Sequence, residues 1–475
     1  MAYTFLWHDY ETFGVNPKLD RPAQFAGVRT DEQLNEIGPA INLHCQPAND
    51  YLPAPEACLL TGITPQFCLE NGIAEYQFAA AIERELAQAE TIGVGYNTIR
   101  FDDEVTRFMF WRNLIDPYAR EWQNGCGRWD LLDVVRAMYA LRPDGIQWPQ
   151  HEDGRVSFKL EHLTQANGLA HEAAHDALSD VRATIALARL IRTAQPKLFD
   201  FCLGLRSKQR VFDEINVAQP RALVHISGMY GVERGNLAIV WPLGVHPTNK
   251  NEIIVWDLAF DPSELFTLEP AEIRRRMFSK QDELGDVTRL PIKTIHANKS
   301  PIVVGNLKVL RPEDLTRWQI NLEAIKANAA KLTTAPTLPW GEVFTRDSLD
   351  KQDVDANLYG GFVSNPDRRT LTRLRGLSGE RLASEIVHFE DRQLEELFFR
   401  YRARNFPYTL NEEEAQRWEQ WRTARLFDGA ANALTLEAYS EEIDRLADTL
   451  PEGDERAEAI LAALYDYAEQ IAPEF

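Results

Sequence analysis

The chain has 475 residues, 44% of them hydrophobic and 10% aromatic, and a formal net charge of −21. That length predicts two or three domains and the composition excludes a disordered chain. The charge argues against a general nucleic-acid binder, yet residues 201–350 carry net +1 between flanks of −11 each.

Residues 1–195 alternate strand-like and helix-like pieces, which predicts an α/β domain. Tyr3–His8, Gln24–Thr30, Ala40–Gln46 and Thr91–Tyr96 read as strands. Ala74–Ala87, Asp103–Leu114, Leu131–Leu141 and Asp176–Thr193 read as helices, the last with Leu178, Val181, Ile185 and Ala188 on one face. Residues 200–350 change character. Ala222–Ile226, Leu237–Pro242 and Glu252–Leu258 are short and β-branched, which reads as a small β-barrel or sheet. Pro262–Phe278 reads as a helix whose run Arg274-Arg275-Arg276 is either a solvated face or a nucleic-acid contact. Thr333–Asp350 reads as a linker. Residues 351–475 are helical, over Leu394–Arg404, Glu412–Leu426, Thr435–Leu446 and Asp454–Ile471.

No segment approaches the roughly 20 apolar residues of a membrane span, and no signal-peptide pattern precedes the first strand. The five cysteines (45, 58, 68, 126 and 202) form no CxxC pair. They argue against a disulfide framework or a zinc site and predict a cytoplasmic protein.

The string HDYETFG places Asp9 and Glu11 at the end of an apolar run. In a strand, residues i and i+2 share a face. Two carboxylates in one volume are costly to ionise unless a cation lies between them. A second acidic site follows in GYNTIRFDD, where Asp102 or Asp103 enters a helix; either alone reads as a helix cap. A third is HDALSD, with His175 at a helix start and Asp180 inside it.

Together, a strand-end D-x-E, an N-x-x-x-F-D and an H-x-A-x-x-D in this order resemble the DEDD exonucleases of the histidine subtype. The resemblance implies an α/β ribonuclease-H-like fold and two divalent metals. Two metals about 3.5–4 Å apart can acidify an attacking water and stabilise a leaving oxygen. Carboxylates suit Mg²⁺, or Mn²⁺ as a substitute. The implied catalytic and metal set is Asp9, Glu11, Asp102 and Asp180, with His175 as general base. By resemblance, Asp9 touches both metals and Glu11 lies nearest the terminal nucleotide. The motif favours Asp102 over Asp103 as the ligand.

HDYETFG, DRPAQFA, GYNTIRFDDEVTRF, RWDLLDV, FKLEHLTQANG, AHDALSDV, HISGMYG, LRPEDL and YRARNFP are similar to the bacterial exonuclease I family. That resemblance implies processive 3′→5′ hydrolysis of single-stranded DNA to nucleoside 5′-monophosphates by a monomer, in DNA repair and recombination. It also implies an exonuclease domain (1–195), an SH3-like β-barrel domain (196–350) and an all-α C-terminal domain (351–475). Arg107, Tyr118, Trp122 and Arg136 match positions that face DNA, where stacking grips any sequence. Lys159 stands where relatives carry a substrate-contacting arginine, so charge is kept but bidentate phosphate geometry is lost. Arg142 and Arg311 match basic positions that receive the acidic C-terminal tail of single-stranded DNA-binding protein. Three rival readings are an RNA nuclease of the same fold, a non-catalytic DNA-binding scaffold and a polymerase proofreading subunit. The 280 residues after position 195 count against the first, the presence of all five site residues against the second, and the long extensions against the third.

Overall fold

A computed structural model describes residues 3–170, 176–345, 352–451 and 453–473. The chain divides into two compact units, residues 1–127 with 172–182 and 350–475, and residues 128–171 with 183–349.

In the first unit, β1 (Thr4–Thr12), β2 (Pro22–Thr30), β3 (Ile41–His44) and β4 (Thr91–Gly95) stand in the order β3-β2-β1-β4. β1 is antiparallel to β2 and parallel to β4. Phe5, Leu6 and Trp7 are fully buried, as expected of a strand covered on both faces. The strand runs beyond the apolar segment: Asp9 pairs with Ala26 and Glu11 with Gln24. Both acids therefore lie inside β1, whereas the sequence placed them at its end.

One face of β1 presents Leu6 and Tyr10 to the helices Glu75–Leu86 and Asp102–Arg112, through Phe25, Phe78, Ile82, Val105, Met109 and Phe110. The C-terminal helices share this unit. Phe13, Tyr51, Leu52, Cys58 and Cys68 form one core with Leu426, Tyr439, Leu464 and Tyr467. Phe108, Trp111 and Leu114 form another with Leu358, Leu371, Leu394 and Phe398. All five cysteines are free and buried.

In the second unit, β6 (Leu223–Ile226), β7 (Leu237–Val245), β8 (Glu252–Asp257), β9 (Ile292–His296) and β10 (Ile302–Val304) form an antiparallel sheet ordered β10-β6-β7-β8-β9; β5 (Gly127–Asp130) spans the boundary between the units. The β7–β8 register shifts between Pro242 and Gly244, where proline cannot donate to the ladder. The helix expected over Pro262–Phe278 is two pieces, a 3₁₀ turn Ser263–Thr267 and the helix Pro270–Phe278. Pro270 forces Glu269 into an extended conformation and separates them. The arginine run is engaged within this unit. Arg275 pairs with Glu272 at 2.8 Å, Arg276 pairs with Glu264 at 2.6 Å, and Arg274 donates to the carbonyls of Val343 and Thr345. Arg276 is buried while Arg275 stays exposed, so the run is only partly a solvated face. The expected linker contains a short helix, Trp340–Val343, with Trp340 buried.

No described helix is long and apolar enough to cross a membrane.

Candidate active site

β1 alternates its side chains, so Asp9 and Glu11 share the face opposite Tyr10. The helix Ala177–Ala194 brings Asp180 to that face. One carboxylate oxygen from each of Asp9, Glu11 and Asp180 lies within 4.8 Å of the other two. Asp102 begins the helix Asp102–Arg112, and its Oδ1 accepts a 3.1 Å hydrogen bond from the Tyr10 backbone N–H. Gly95 makes this approach possible. A Cβ there would stand 2.6 Å from the His8 carbonyl oxygen, so the chain can turn tightly against β1 before returning as the helix.

The cluster is electrostatically strained. Burial first, then the charges of Asp102, Glu11, Asp180 and Asp176, holds the Asp9 carboxyl well above the usual range. Burial, followed by Asp180, Asp102 and Asp176, pushes Glu11 up to about 8. Hard oxygen donors that repel one another suit a divalent cation, whose arrival relieves the repulsion. Three converging carboxylates with a fourth nearby thus fit such an ion.

Asp103 is differently employed. Its Oδ1 lies 2.5 Å from Arg120 Nη2 in a buried ion pair. His8, on the opposite face of β1, packs against Phe25 with ring centroids 5.8 Å apart. Burial, reinforced by Arg120, lowers its pKa to about 4, so the imidazole is neutral packing. His175, expected as the general base, lies outside the described residues.

The other expected contacts are placed as follows. Arg107 is buried; both of its terminal nitrogens and Nε are engaged, by Glu121 (2.7 and 2.9 Å), Glu104 (2.7 Å) and the Tyr359 hydroxyl (3.1 Å), over the Tyr118 ring. Its neighbours Phe108, Phe110 and Trp111 are core residues. Trp122 is 66% exposed. In the second unit, Arg136 donates to Asp133 and lies against Gly228, where a Cβ would stand 2.8 Å from its guanidinium carbon. Lys159 is exposed and 3.4 Å from Glu161. Arg142 and Arg311 meet at Asp314, at 3.6 and 3.1 Å.

Sequence reasoning missed Asp176 and Gln24. The Asp176 carboxylate caps the helix through the Ser179 N–H and accepts from Gln24 Nε2 at 3.3 Å. The Asp-x-x-Ser spacing at a helix start could have flagged the cap; the link to Gln24 crosses 152 positions and left no local signal.

Residues 6–188 match the exonuclease family, residues 206–346 the exonuclease I SH3-like domain and residues 352–471 the exonuclease I C-terminal domain. The chain is 46% identical to exodeoxyribonuclease I of Escherichia coli, with 98% of each chain covered, and 44% identical to that of Haemophilus influenzae, also with 98% of each covered. It superposes with a TM-score of 0.94 and 45% identity on exonuclease I of Methylocaldum szegediense, covering 99% of each chain. The Escherichia coli enzyme in complex with a dA16 oligonucleotide gives the same TM-score and identity, over 99% of this chain and 100% of that one. The acidic face of β1 thus sits in a chain that matches these enzymes over almost its whole length, and the chain belongs to the exodeoxyribonuclease I family of exonucleases.

Proposed function

We propose that this exonuclease degrades single-stranded DNA processively from the 3′ end, as a monomer, releasing nucleoside 5′-monophosphates in DNA repair and recombination. The observation that carries this reading is the meeting of Asp9, Glu11 and Asp180 on one face of β1. Asp9, Glu11, Asp102 and Asp180 would hold two Mg²⁺ ions, or Mn²⁺ in their place. Bound there, the ions would acidify the attacking water and stabilise the leaving 3′ oxygen.

The chain's own residues do the rest. Tyr10 orients Asp102 through its N–H. His175 takes the proton from the attacking water, a task suited to a group with an unperturbed pKa near 6.5. Glu11 lies beside the terminal nucleotide. Trp122 offers an exposed ring for stacking, worth roughly 1–3 kcal/mol per base, with Tyr118, Arg107, Arg136 and Lys159 along the strand. For Arg107 to reach a phosphate, a carboxylate of Glu104 or Glu121 must release it. Arg142 and Arg311 receive the acidic tail of single-stranded DNA-binding protein.

The test is digestion of 3′-labelled single-stranded DNA in Mg²⁺ by wild type, Asp9→Ala and His175→Ala, beside a matched RNA. Loss of activity in both variants and a strong DNA preference are expected. Full activity in either variant would overturn the site assignment, and equal RNA degradation would overturn the substrate.

A further inference from the structure

Gln24 stands on β2 directly opposite Glu11 of β1. It is 4% exposed, so its amide needs partners inside the protein. Its Nε2 donates both to Asn42 Oδ1 on β3, at 3.0 Å, and to Asp176 Oδ1, at 3.3 Å. Asp176 is the residue on which the helix Ala177–Ala194 starts: its Oδ2 accepts from the Ser179 N–H at 3.1 Å, and its carbonyl accepts from the Asp180 N–H at 3.0 Å. A single side chain therefore ties the strand next to Asp9 and Glu11 to the first turn carrying Asp180.

That tie opposes a repulsion. One carboxylate oxygen from each of Asp9, Glu11 and Asp180 lies within 4.8 Å of the other two, and carboxylates that close repel one another once they are deprotonated to bind a metal. The sheet fixes Asp9 and Glu11, but Asp180 is carried by a helix that must be held to the sheet from outside the cluster. A neutral donor meets that need. It binds the Asp176 carboxylate without bringing a positive charge that would compete with a cation for the cluster.

We propose that Gln24 is a positioning residue for the metal site, anchoring Asp176 so that Asp180 stays within ligand distance of Asp9 and Glu11. The inference rests on the two-metal reading above. Groups that orient metal ligands through one hydrogen bond typically change metal affinity by about 10–100-fold.

The test is Mn²⁺ titration by calorimetry on the full chain, without DNA, for wild type, Gln24→Met, Asn42→Ala and Asp180→Ala. Methionine keeps the volume of glutamine and removes both donors. Gln24 bonds Asp176 rather than a ligand, so Gln24→Met should weaken Mn²⁺ at the lower end of that range, by about 10-fold, with the metal-free melting temperature unchanged. Turnover should recover when Mn²⁺ is raised, which a merely structural role would not produce. Asn42→Ala, at an exposed position, should weaken Mn²⁺ in the same direction by less. Wild-type affinity in a folded Gln24→Met overturns the inference. Where that variant melts early, wild-type affinity in Asn42→Ala overturns it instead. Unchanged affinity in Asp180→Ala overturns the metal reading itself, and so separates the two failures.

Discussion

Two groups of carboxylates withdrawn from bulk water stand in the first unit, and they differ in what faces them. Asp9, Glu11, Asp102 and Asp180 face one another, and the carboxyls of Asp9 and Glu11 are raised. Asp50 and Asp355 face arginines. Arg404 binds Asp50 at 2.8 Å and Asp355 at 2.5 Å, Arg400 binds Asp355 at 3.1 Å and Asp353 at 2.8 Å, and Arg425 donates to the Asp50 carbonyl. Burial alone would raise Asp50 and Asp355 too, but Arg404, with Arg425 at one and Arg400 at the other, holds both well below the usual range. The difference separates chemistry from architecture. A buried acid matched by the chain's own cations fixes a fold, here joining the N-terminal strands to the C-terminal helices. Asp9 and Glu11, raised by burial and by the acids around them, are poised for a cation.

Removing one charged side chain from each group, an acid from the first and an arginine from the second, should therefore do opposite things. Asp9→Ala is expected to lower exonuclease turnover by about 10³-fold, the upper range for deleting one preorganised electrostatic contact. It should leave the metal-free melting temperature unchanged or higher, because repulsion is relieved. A lower metal-free melting temperature would mean that Asp9 has a structural partner. Arg404→Ala should destabilise by about 3–5 kcal/mol, read by urea denaturation, since it strands two buried carboxylates. Mn²⁺ affinity of the folded fraction should stay at the wild-type value.

The two groups also predict opposite responses to pH. Glu11, near 8 in the folded state, binds more protons there than in the unfolded chain over the interval from about 4.3 to 8. Through that window it costs stability as pH rises, by up to about 1.4 kcal/mol per pH unit. Asp9 acts in the same direction. Asp50 and Asp355, depressed in the fold, contribute their full stabilisation above about pH 3.9, their unfolded value, and lose it progressively as pH falls below that toward their folded values. Melting in a chelator should thus pass through a maximum on the acidic side and decline toward pH 8. Saturating Mn²⁺ should abolish the decline. A flat chelator profile would show that the acidic face is not strained.

How much of this was legible in the sequence depended on distance along the chain. The apolar run Tyr3–Trp7 announced β1, and two-residue alternation put Asp9 and Glu11 on one face. That β1 continues to Thr12 depends on pairing with β2, which no local pattern carries. The helices Pro55–Thr61 and Pro65–Asn71 were missed because each is seven residues long. They exist by packing Cys58 and Cys68 against helices nearly 400 positions away. The interleaved arginines and aromatics of Arg107–Arg112 suggested a DNA-facing stripe. In the fold, Trp111 donates to the Val354 carbonyl and Phe108 meets Tyr359, so the stripe is mostly core. Composition shows that a helix is rich in rings but not which sides another segment will cover.

The second unit offers the reverse imbalance, and with it the smallest expected effect. Arg142 and Arg311 converge on Asp314, and each keeps about 30% of its side chain exposed, against 2% for that acid. Glu313 and Asp144 also approach Arg311, at 3.2 and 3.8 Å, but both are solvent-exposed and screened. Arg142 has no second carboxylate among its described ion pairs; its other described hydrogen bonds go to the carbonyls of Leu141 and Val309. A carbonyl leaves the charge in place and Asp314 is shared with Arg311, so Arg142 is only partly neutralised and can accept an acidic peptide. Arg142→Ala should then weaken a peptide with an acidic run and a terminal Phe by several-fold, on the scale of an exposed ion pair worth about 0.2–1 kcal/mol, measured by fluorescence anisotropy. The loss should shrink as salt rises, as for any exposed pair, while digestion of naked single-stranded DNA stays at the wild-type rate. Unchanged peptide affinity would leave Arg142 a surface arginine, and a slower rate on naked DNA would move it onto the substrate path.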